Sequence, residues 1–188
     1  MKINMPVTQK EVLLRAGQAI VSKTDLKGQI TYVNQVFLEI SGFTEDELIG
    51  QSHNIVRHPD MPPEAFADLW AVLKEERPWT GLVKNRCKNG DHYWVLANAT
   101  PIFENGVVTG YMSVRTAPAR DQIEAADGAY RMFREKRADG LVIREGQVVK
   151  VGFSFSGWLK SRTIAQRIFG ICALLTAGML IVGALGLR

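Results

Sequence analysis

The alternation of apolar and polar residues changes its period several times along the chain. Short β-prone runs at residues 19–23 and 29–33 flank a turn-forming segment at 25–28 and predict a β-hairpin. Three longer β-prone runs follow, joined at Asn-Gly dipeptides that favour tight hairpin turns. They cover residues 79–87, 93–103 and 107–116. The pattern predicts five strands, of which the last three form an antiparallel meander.

Helical patterns lie between the second and third predicted strands. Thr44 and Glu47 match a capping box, and Gly50 is placed to end the short helix that they begin. A longer helix is predicted from Pro62 to the Arg77-Pro78 dipeptide, with apolar residues at i, i+3, i+4 and i+7. Those residues are Phe66, Leu69, Trp70 and Leu73. Helices inserted there must cover one sheet face, which predicts an α+β domain with a ligand cavity between sheet and helices.

The chain divides into four predicted parts. They are an N-terminal cap at 1–18, the α+β domain at 19–118, a basic connector at 119–167 and a membrane helix at 168–187. Within the connector, a helix is predicted at 121–137 and a small hairpin at 141–150. Residues 131–167 contain nine Lys or Arg but only three Asp or Glu. The basicity of the chain therefore belongs to the segment that precedes the apolar run.

The apolar run at 168–187 predicts a transmembrane helix. Its twenty uncharged residues would span roughly 30 Å, the thickness of the hydrocarbon core of a bilayer. Lys160, Arg162 and Arg167 precede it, so the positive-inside rule places the domain in the cytoplasm, at the inner (cytoplasmic) membrane. A buried core helix is the weaker alternative, because the run has no polar face. Membrane contact also explains the basic connector better than nucleic-acid binding does.

Composition narrows the class of protein. The chain has 188 residues, 46% hydrophobic, with a formal net charge of +4, which suits one domain with an appendage and excludes a wholly disordered chain. Two cysteines cannot build a disulfide framework, and no metal-binding spacing is present. The sequence has no nicotinamide fingerprint, Gly-rich phosphate loop or paired nucleophile and base, so we expect no enzyme activity.

Several motifs resemble those of PAS domains and, more narrowly, of bacterial aerotaxis receptors. The PAS-like motifs lie at residues 25–34, 41–44 and 47–50. The motifs similar to aerotaxis receptors lie at residues 53–62, 78–79, 83–86 and 88–95. The resemblance is close over residues 5–120 and looser beyond. It implies a PAS domain, with a five-stranded antiparallel sheet and short helices on one face, and non-covalently bound FAD.

A flavin needs a flat apolar slot, donors for its ring carbonyls and cationic groups for its phosphates. Trp70 and Trp94 are possible ring neighbours on aromatic character alone. The candidate cofactor-binding residues are Asn34, His53, Arg57, His58, Asp60, Trp79, Asn85 and Tyr93. The resemblance places Arg57, His58 and Asp60 in the FAD-binding motif of the family. Haem ligation by a histidine is a weaker alternative.

Structural roles remain open for several of these candidates. Asp60 could cap the following helix, or it could pair with Arg57 to fix a loop. Trp70 lies on the helix stripe and favours a core position. Tyr93 and Trp94 are consecutive in a strand and point to opposite faces, and we expect Tyr93 to face the pocket.

The resemblance implies a membrane-anchored sensor of redox or oxygen-linked energy state that acts in chemotaxis through FAD. It also implies a homodimer. Aerotaxis receptors continue into a signalling domain that follows the part resembled here, so the resemblance implies a separate signalling protein if the chain is complete. A cofactor-free PAS module for dimerisation is the alternative. A light sensor with a flavin–thiol adduct is disfavoured, because residues 53–57 contain no cysteine and Cys87 lies on a distant predicted strand.

Overall fold

The structure, a computed structural model, describes residues 4–151. One five-stranded antiparallel sheet organises this part of the chain. The sheet order is β2-β1-β5-β4-β3. The strands are β1 (Ile20–Asp25), β2 (Ile30–Val33), β3 (Trp79–Arg86), β4 (His92–Glu104) and β5 (Val107–Thr116). The predicted first hairpin and the predicted three-strand meander are confirmed.

A layer of short helices covers one face of this sheet. Its elements are α1 (Gln35–Ser41), α2 (Glu45–Leu48), a 3-10 helix (His53–Val56) and α3 (Pro63–Lys74). The Glu47 carboxylate accepts a 3.1 Å hydrogen bond from the Thr44 backbone, as the capping box predicts. The sequence pattern does not predict separate bounds for α1 or the 3-10 helix, because each is too short to show a helical period.

Asn34 explains why α1 begins where it does. Its Oδ1 accepts hydrogen bonds from the backbone N–H of Val21 at 3.0 Å and of Phe37 at 3.2 Å, and its Nδ2 donates to the Ala19 carbonyl at 2.8 Å. One side chain therefore caps α1 and ties it to β1. Phe37, on α1, is buried against the sheet.

The opposite face of the sheet carries α4 (Arg120–Arg134), and a hairpin of β6 (Leu141–Arg144) and β7 (Gln147–Lys150) follows it. Tyr130 of α4 stacks on Trp94 with 6.3 Å between ring centroids, and its hydroxyl donates to the Leu82 carbonyl at 2.8 Å. The helix and hairpin predicted within the connector are thus both present.

The segment before β1 packs along the turn between β3 and β4. The Val12 N–H donates to the His92 carbonyl at 2.7 Å, and the His92 N–H donates to the Lys10 carbonyl at 3.0 Å. The Arg86 guanidinium donates to the Pro6 carbonyl at 2.7 Å. These bonds satisfy backbone groups that the sheet leaves unpaired at this end.

No helix within residues 4–151 is long and apolar enough to cross a membrane. The predicted transmembrane helix at 168–187 lies outside the described residues.

Replacing Asn34 with Ala removes three hydrogen bonds from a partly buried cap, and we expect the free energy of unfolding to fall by about 1–3 kcal/mol. Urea unfolding followed by circular dichroism measures this. The matched control is Asn98→Ala on an exposed stretch of β4, where the amide bonds only Thr80 Oγ1, and the change there should stay within about 0.5 kcal/mol. Equal losses in the two variants would contradict the capping role of Asn34.

Candidate functional site

A cavity of about 320 Å³ lies between the sheet and the helix layer. Ala97 and Ala99 of β4 face it, and their small side chains leave room that larger residues would fill. The other lining residues come from β1, the turn between β1 and β2, the 3-10 helix and its flanking residues, α3, β3 and β5. The volume falls in the range of small-molecule sites, so the predicted ligand cavity is present in this fold.

Aromatic and aliphatic side chains form the helical wall of the cavity. Trp70 and Leu73 line it from α3, and Tyr111 lines it from β5. The Trp70 and Tyr111 rings meet edge to face, with centroids 5.5 Å apart at 76°. A Cβ at Gly28 would stand 3.1 Å from the Trp70 ring, so the turn between β1 and β2 passes directly over the indole. Trp70 is therefore a cavity residue.

A buried guanidinium lies at one end of the cavity. Arg115, only 5% exposed, donates from Nη2 to Ser22 Oγ at 3.1 Å, and the same nitrogen lies 2.6 Å from His53 Nε2. Its Nη1 is also buried and has no hydrogen-bond partner within the described part of the chain. Burial lowers the pKa of Arg115 to about 10, so the guanidinium stays charged at neutral pH.

His53 is held neutral in this arrangement. Burial and the Arg115 charge place the pKa of His53 well below its ordinary value. A neutral imidazole accepts at Nε2 the hydrogen bond that Arg115 donates. The cavity-lining residues of the described region include Lys27, Arg57 and Arg115 but no carboxylate, which makes the cavity electropositive.

Arg57 and Asn85 come together at a second part of the cavity. They form an isolated antiparallel backbone bridge that joins the residue after the 3-10 helix to β3. The Arg57 guanidinium lies 4.0 Å from the centroid of the Phe66 ring and donates to the Met61 carbonyl at 3.2 Å. Burial lowers the pKa of Arg57. The side chain is thus anchored before any ligand binds.

His58 and Asp60 do not line the cavity but lie at the outer edge of β3. Asp60 Oδ2 accepts a 2.7 Å bond from Lys84 Nζ, and Arg134 donates to the Asp60 carbonyl at 2.7 Å. Two predicted structural roles are therefore wrong: the N-cap of α3 is Pro62, and the ionic partner of Asp60 is Lys84 rather than Arg57.

The His58 ring is neutral and packs against the ring of His92, with centroids 5.7 Å apart. His58 Nδ1 accepts the backbone N–H of Asp60 at 3.1 Å, so this nitrogen carries no proton. Burial and the nearby Lys84 charge lower the pKa of His58 to about 4. The 3.5 Å approach of Nδ1 to the Asp60 carboxylate is therefore not an ion pair.

Asn34, Trp79 and Tyr93 also lie outside the cavity lining. Asn34 is the cap described above, and Trp79 Nε1 donates to the Asp68 carboxylate at 2.7 Å. Tyr93 lies on the sheet face under the helix layer but does not line the cavity, contrary to the expectation that it faces the pocket, and its buried hydroxyl has no partner within the described region. Of the eight candidates, the structure brings His53, Arg57 and Asn85 together at the cavity.

Arg115 and Tyr111 line the cavity but were not among the residues predicted from the sequence. Both lie on β5 at alternate positions, and β4 pairing places Arg115 opposite Ala97. The feature that could have identified them is a charged residue and an aromatic residue at positions of a strand that face the helix layer. Which positions face the helix layer is known only once the strand register is known.

Cys87 lies away from the cavity lining, directly after β3. Its Sγ donates to the Ile40 carbonyl at 3.2 Å, and burial raises the pKa of the thiol to about 11. The described residues contain no group of three His, Cys, Asp or Glu side chains that could hold a metal ion.

Comparison with known families identifies the fold. Residues 30–115 match the family model described as PAS fold, and the sheet order and helix layer agree with it. Residues 30–115 therefore have the PAS fold. The chain is similar to the aerotaxis receptor of Escherichia coli (strain K12), with 47% identity over 150 residues. That match covers 77% of this chain and 30% of the receptor, and it supports the predicted relationship to aerotaxis receptors.

Solved structures agree on the fold. A light-oxygen-voltage domain studied with a flavin analogue aligns with a TM-score of 0.51 and 22% identity, covering 57% of this chain and 82% of that chain. The light state of the photoreceptor Aureochrome1 LOV aligns with a TM-score of 0.51 and 16% identity, covering 58% of this chain and 90% of that chain. At these identities the likeness concerns the PAS fold alone.

The free energy of unfolding should fall as the pH is lowered from neutral. Burial lowers the pKa values of His53, His58 and His92 in the folded chain. Between pH 6.5, the ordinary pKa of histidine, and about pH 4, the pKa of folded His58, the unfolded chain therefore binds more protons than the folded chain. This stability is fully present above pH 6.5 and is lost towards pH 4. Urea midpoints measured from neutral pH to about pH 4.5 test it.

The variant His58→Gln should show a shallower pH dependence than the unmodified chain, because one of the three imidazoles is gone. A midpoint that does not change with pH over this window would contradict the buried neutral histidines.

Proposed function

We propose that this PAS domain binds a flavin, as FAD, in the cavity and reports its state as a sensor. The observation that carries the proposal is Arg115, a buried cation facing a cavity lined by no carboxylate within the described residues. A buried charge without a counter-ion is costly unless a ligand supplies acceptor atoms. The oxygen and nitrogen acceptors of a flavin ring supply them.

The lining residues fit the parts of a flavin. Trp70 and Tyr111 give flat apolar contact, and Asn85 offers an amide that both donates and accepts. Lys27 and Arg57 are cations for phosphate oxygens. When bound, a flavin supplies reversible electron and proton transfer. The flavin-analogue study of a light-oxygen-voltage domain with the same fold is consistent with this ligand class.

Arg115 is placed to respond to charge in the cavity. Its positive charge favours a ligand state that carries added negative charge, and neutral His53 does not oppose that state. Because one Arg115 nitrogen joins Ser22 of β1 to His53 of the 3-10 helix, a shift of the guanidinium moves bonds on the sheet and on the helix layer together. A change of charge in the cavity can in this way change the conformation of the domain.

For the whole protein we propose a sensory role in chemotaxis rather than an enzymatic one. The 47% identity to an aerotaxis receptor supports it, although this chain spans 30% of that receptor's length. The same proposal includes membrane anchoring through residues 168–187 and a cytoplasmic PAS domain. It also includes a homodimer and a separate signalling partner. The apolar run and the basic residues before it support the anchoring.

The test of the proposal is the absorption spectrum of the purified full chain, followed by chromatography of the chromophore released on denaturation. We expect the two bands of oxidised flavin and the release of FAD. A folded, colourless protein that gains no chromophore on incubation with FAD would overturn flavin binding and favour the cofactor-free interaction module. A Soret band would instead indicate haem.

Arg115→Gln should weaken flavin binding roughly 10- to 100-fold, because a charge-assisted hydrogen bond is lost. Fluorescence titration with FAD measures the dissociation constant, and urea unfolding shows whether the variant folds. Arg131→Gln, an exposed arginine of α4 paired with Asp127, is the matched control and should bind as the unmodified chain does. Equal affinities in the two variants would contradict the role of Arg115.

Asn85→Ala should leave the fold intact and should weaken flavin retention or shift the flavin reduction potential, because the amide lines the cavity. Redox titration monitored by absorption gives the potential. Asn98→Ala on the neighbouring strand is the control. If retention and potential both stay unchanged in Asn85→Ala, Asn85 takes no part in the flavin site.

A further inference from the structure

One carboxylate fastens the β6–β7 hairpin to the PAS domain. Asp68 of α3 accepts hydrogen bonds from the backbone N–H of Glu145 at 2.8 Å, the backbone N–H of Gly146 at 2.7 Å and the Nε1 of Trp79 at 2.7 Å. The two backbone donors form the tip of the hairpin, and the indole belongs to β3. Asp68 thus joins three elements at a single side chain.

The hairpin tip is seated against the backbone of β3. A Cβ at Gly146 would stand 1.9 Å from the Thr80 carbonyl oxygen and 2.9 Å from the Gly81 Cα, which leaves no space for a side chain. Gly146 also has a φ of +78°, which glycine adopts without strain. The contact is therefore close and specific to glycine. The nearby Arg77–Glu145 ion pair is exposed and contributes little.

Helix α3 lies between this contact and the cavity. Phe66, Leu69 and Trp70 line the cavity, whereas Asp68 lies on the other side of the helix, because successive residues are about 100° apart. A ligand that displaces the cavity face of α3 must therefore also move the carboxylate that holds the hairpin tip. The hairpin ends at Lys150, and the chain runs on directly into the remaining C-terminal segment.

We propose that Asp68 and the β6–β7 hairpin form a latch that opens or closes with the state of the cavity ligand. The coupling to a ligand rests on the proposed flavin site, whereas the latch contact itself does not. Two-stranded hairpins are at best marginally stable alone, so an undocked hairpin loses its amide protection as a unit. By thermodynamic reciprocity, undocking must also change ligand affinity.

Hydrogen exchange on the full chain, read by mass spectrometry, tests the latch contact without ligand. Asp68→Asn weakens the carboxylate bonds, and Gly146→Ala blocks seating of the tip while leaving Asp68 in place. In both variants we expect amides of residues 141–150 to exchange at least about tenfold faster, with the five-stranded sheet unchanged.

Each variant has a matched control. Asp127→Asn removes an exposed carboxylate of α4 that pairs with Arg131. Gly106→Ala places a Cβ at a turn glycine with nearly the same φ, +79°, but with no atom within 4 Å. Both controls should leave residues 141–150 protected. Exchange in Asp68→Asn and Gly146→Ala equal to that of their controls would overturn the latch.

A second measurement tests the coupling. In the flavin-loaded chain, exchange at residues 141–150 should differ between the oxidised form and the form reduced with dithionite, and this difference should vanish in Gly146→Ala. An equal rate in both redox forms of the unmodified chain would overturn the coupling. A chain that binds no flavin would defeat the proposed function and the coupling, whereas the ligand-free comparison would still decide the latch contact.

Discussion

The cavity beneath this PAS-fold sheet depends on a buried positive charge that no carboxylate among residues 4–151 neutralises. Arg115 is buried at an inward position of a central strand, and the described residues place Ser22 and His53, rather than a carboxylate, against it. Small residues on β4 keep the space in front of it open. His53 and Phe37 of the helix layer thus pack against a cation whose Nη1 has no hydrogen-bond partner within the described residues.

The residues of the motif Arg57-His58-Pro59-Asp60 occupy two different places in the structure. Arg57 contributes to the cavity and is held by Phe66 and Met61. Asp60 instead joins the segment after the 3-10 helix to β3 and α4 through Lys84 and Arg134, and the His58 backbone N–H donates to the Lys84 carbonyl. A substitution at Asp60 would therefore act on a ligand indirectly, by releasing the loop that carries Arg57. Loss of ligand in such a variant would not by itself show direct contact.

The sequence predicted the elements of the fold well and the site only in part. Asn-Gly turns and a change from helical to strand period are local signals, so the five strands, α3 and the second hairpin could be predicted within a few residues. Arg115, Tyr111 and Asp68 depend on strand register and on which side of α3 faces the sheet. Such long-range information is not contained in any window of sequence. Trp79 and Tyr93 were aromatic and inward-facing, yet packing placed both outside the cavity.

Two tryptophans of the PAS domain occupy opposite faces of the sheet. Trp70 lies edge-on to Tyr111 at the cavity wall, whereas Trp94 stacks on Tyr130 beneath α4. A chromophore in the cavity would lie in contact with Trp70, which lines it, whereas Trp94 does not line the cavity. The domain therefore carries tryptophans on both faces of the sheet, Trp70 sensitive to cavity occupancy and Trp94 to the seating of α4, and single Trp→Phe substitutions separate their emission from that of Trp79 and Trp158.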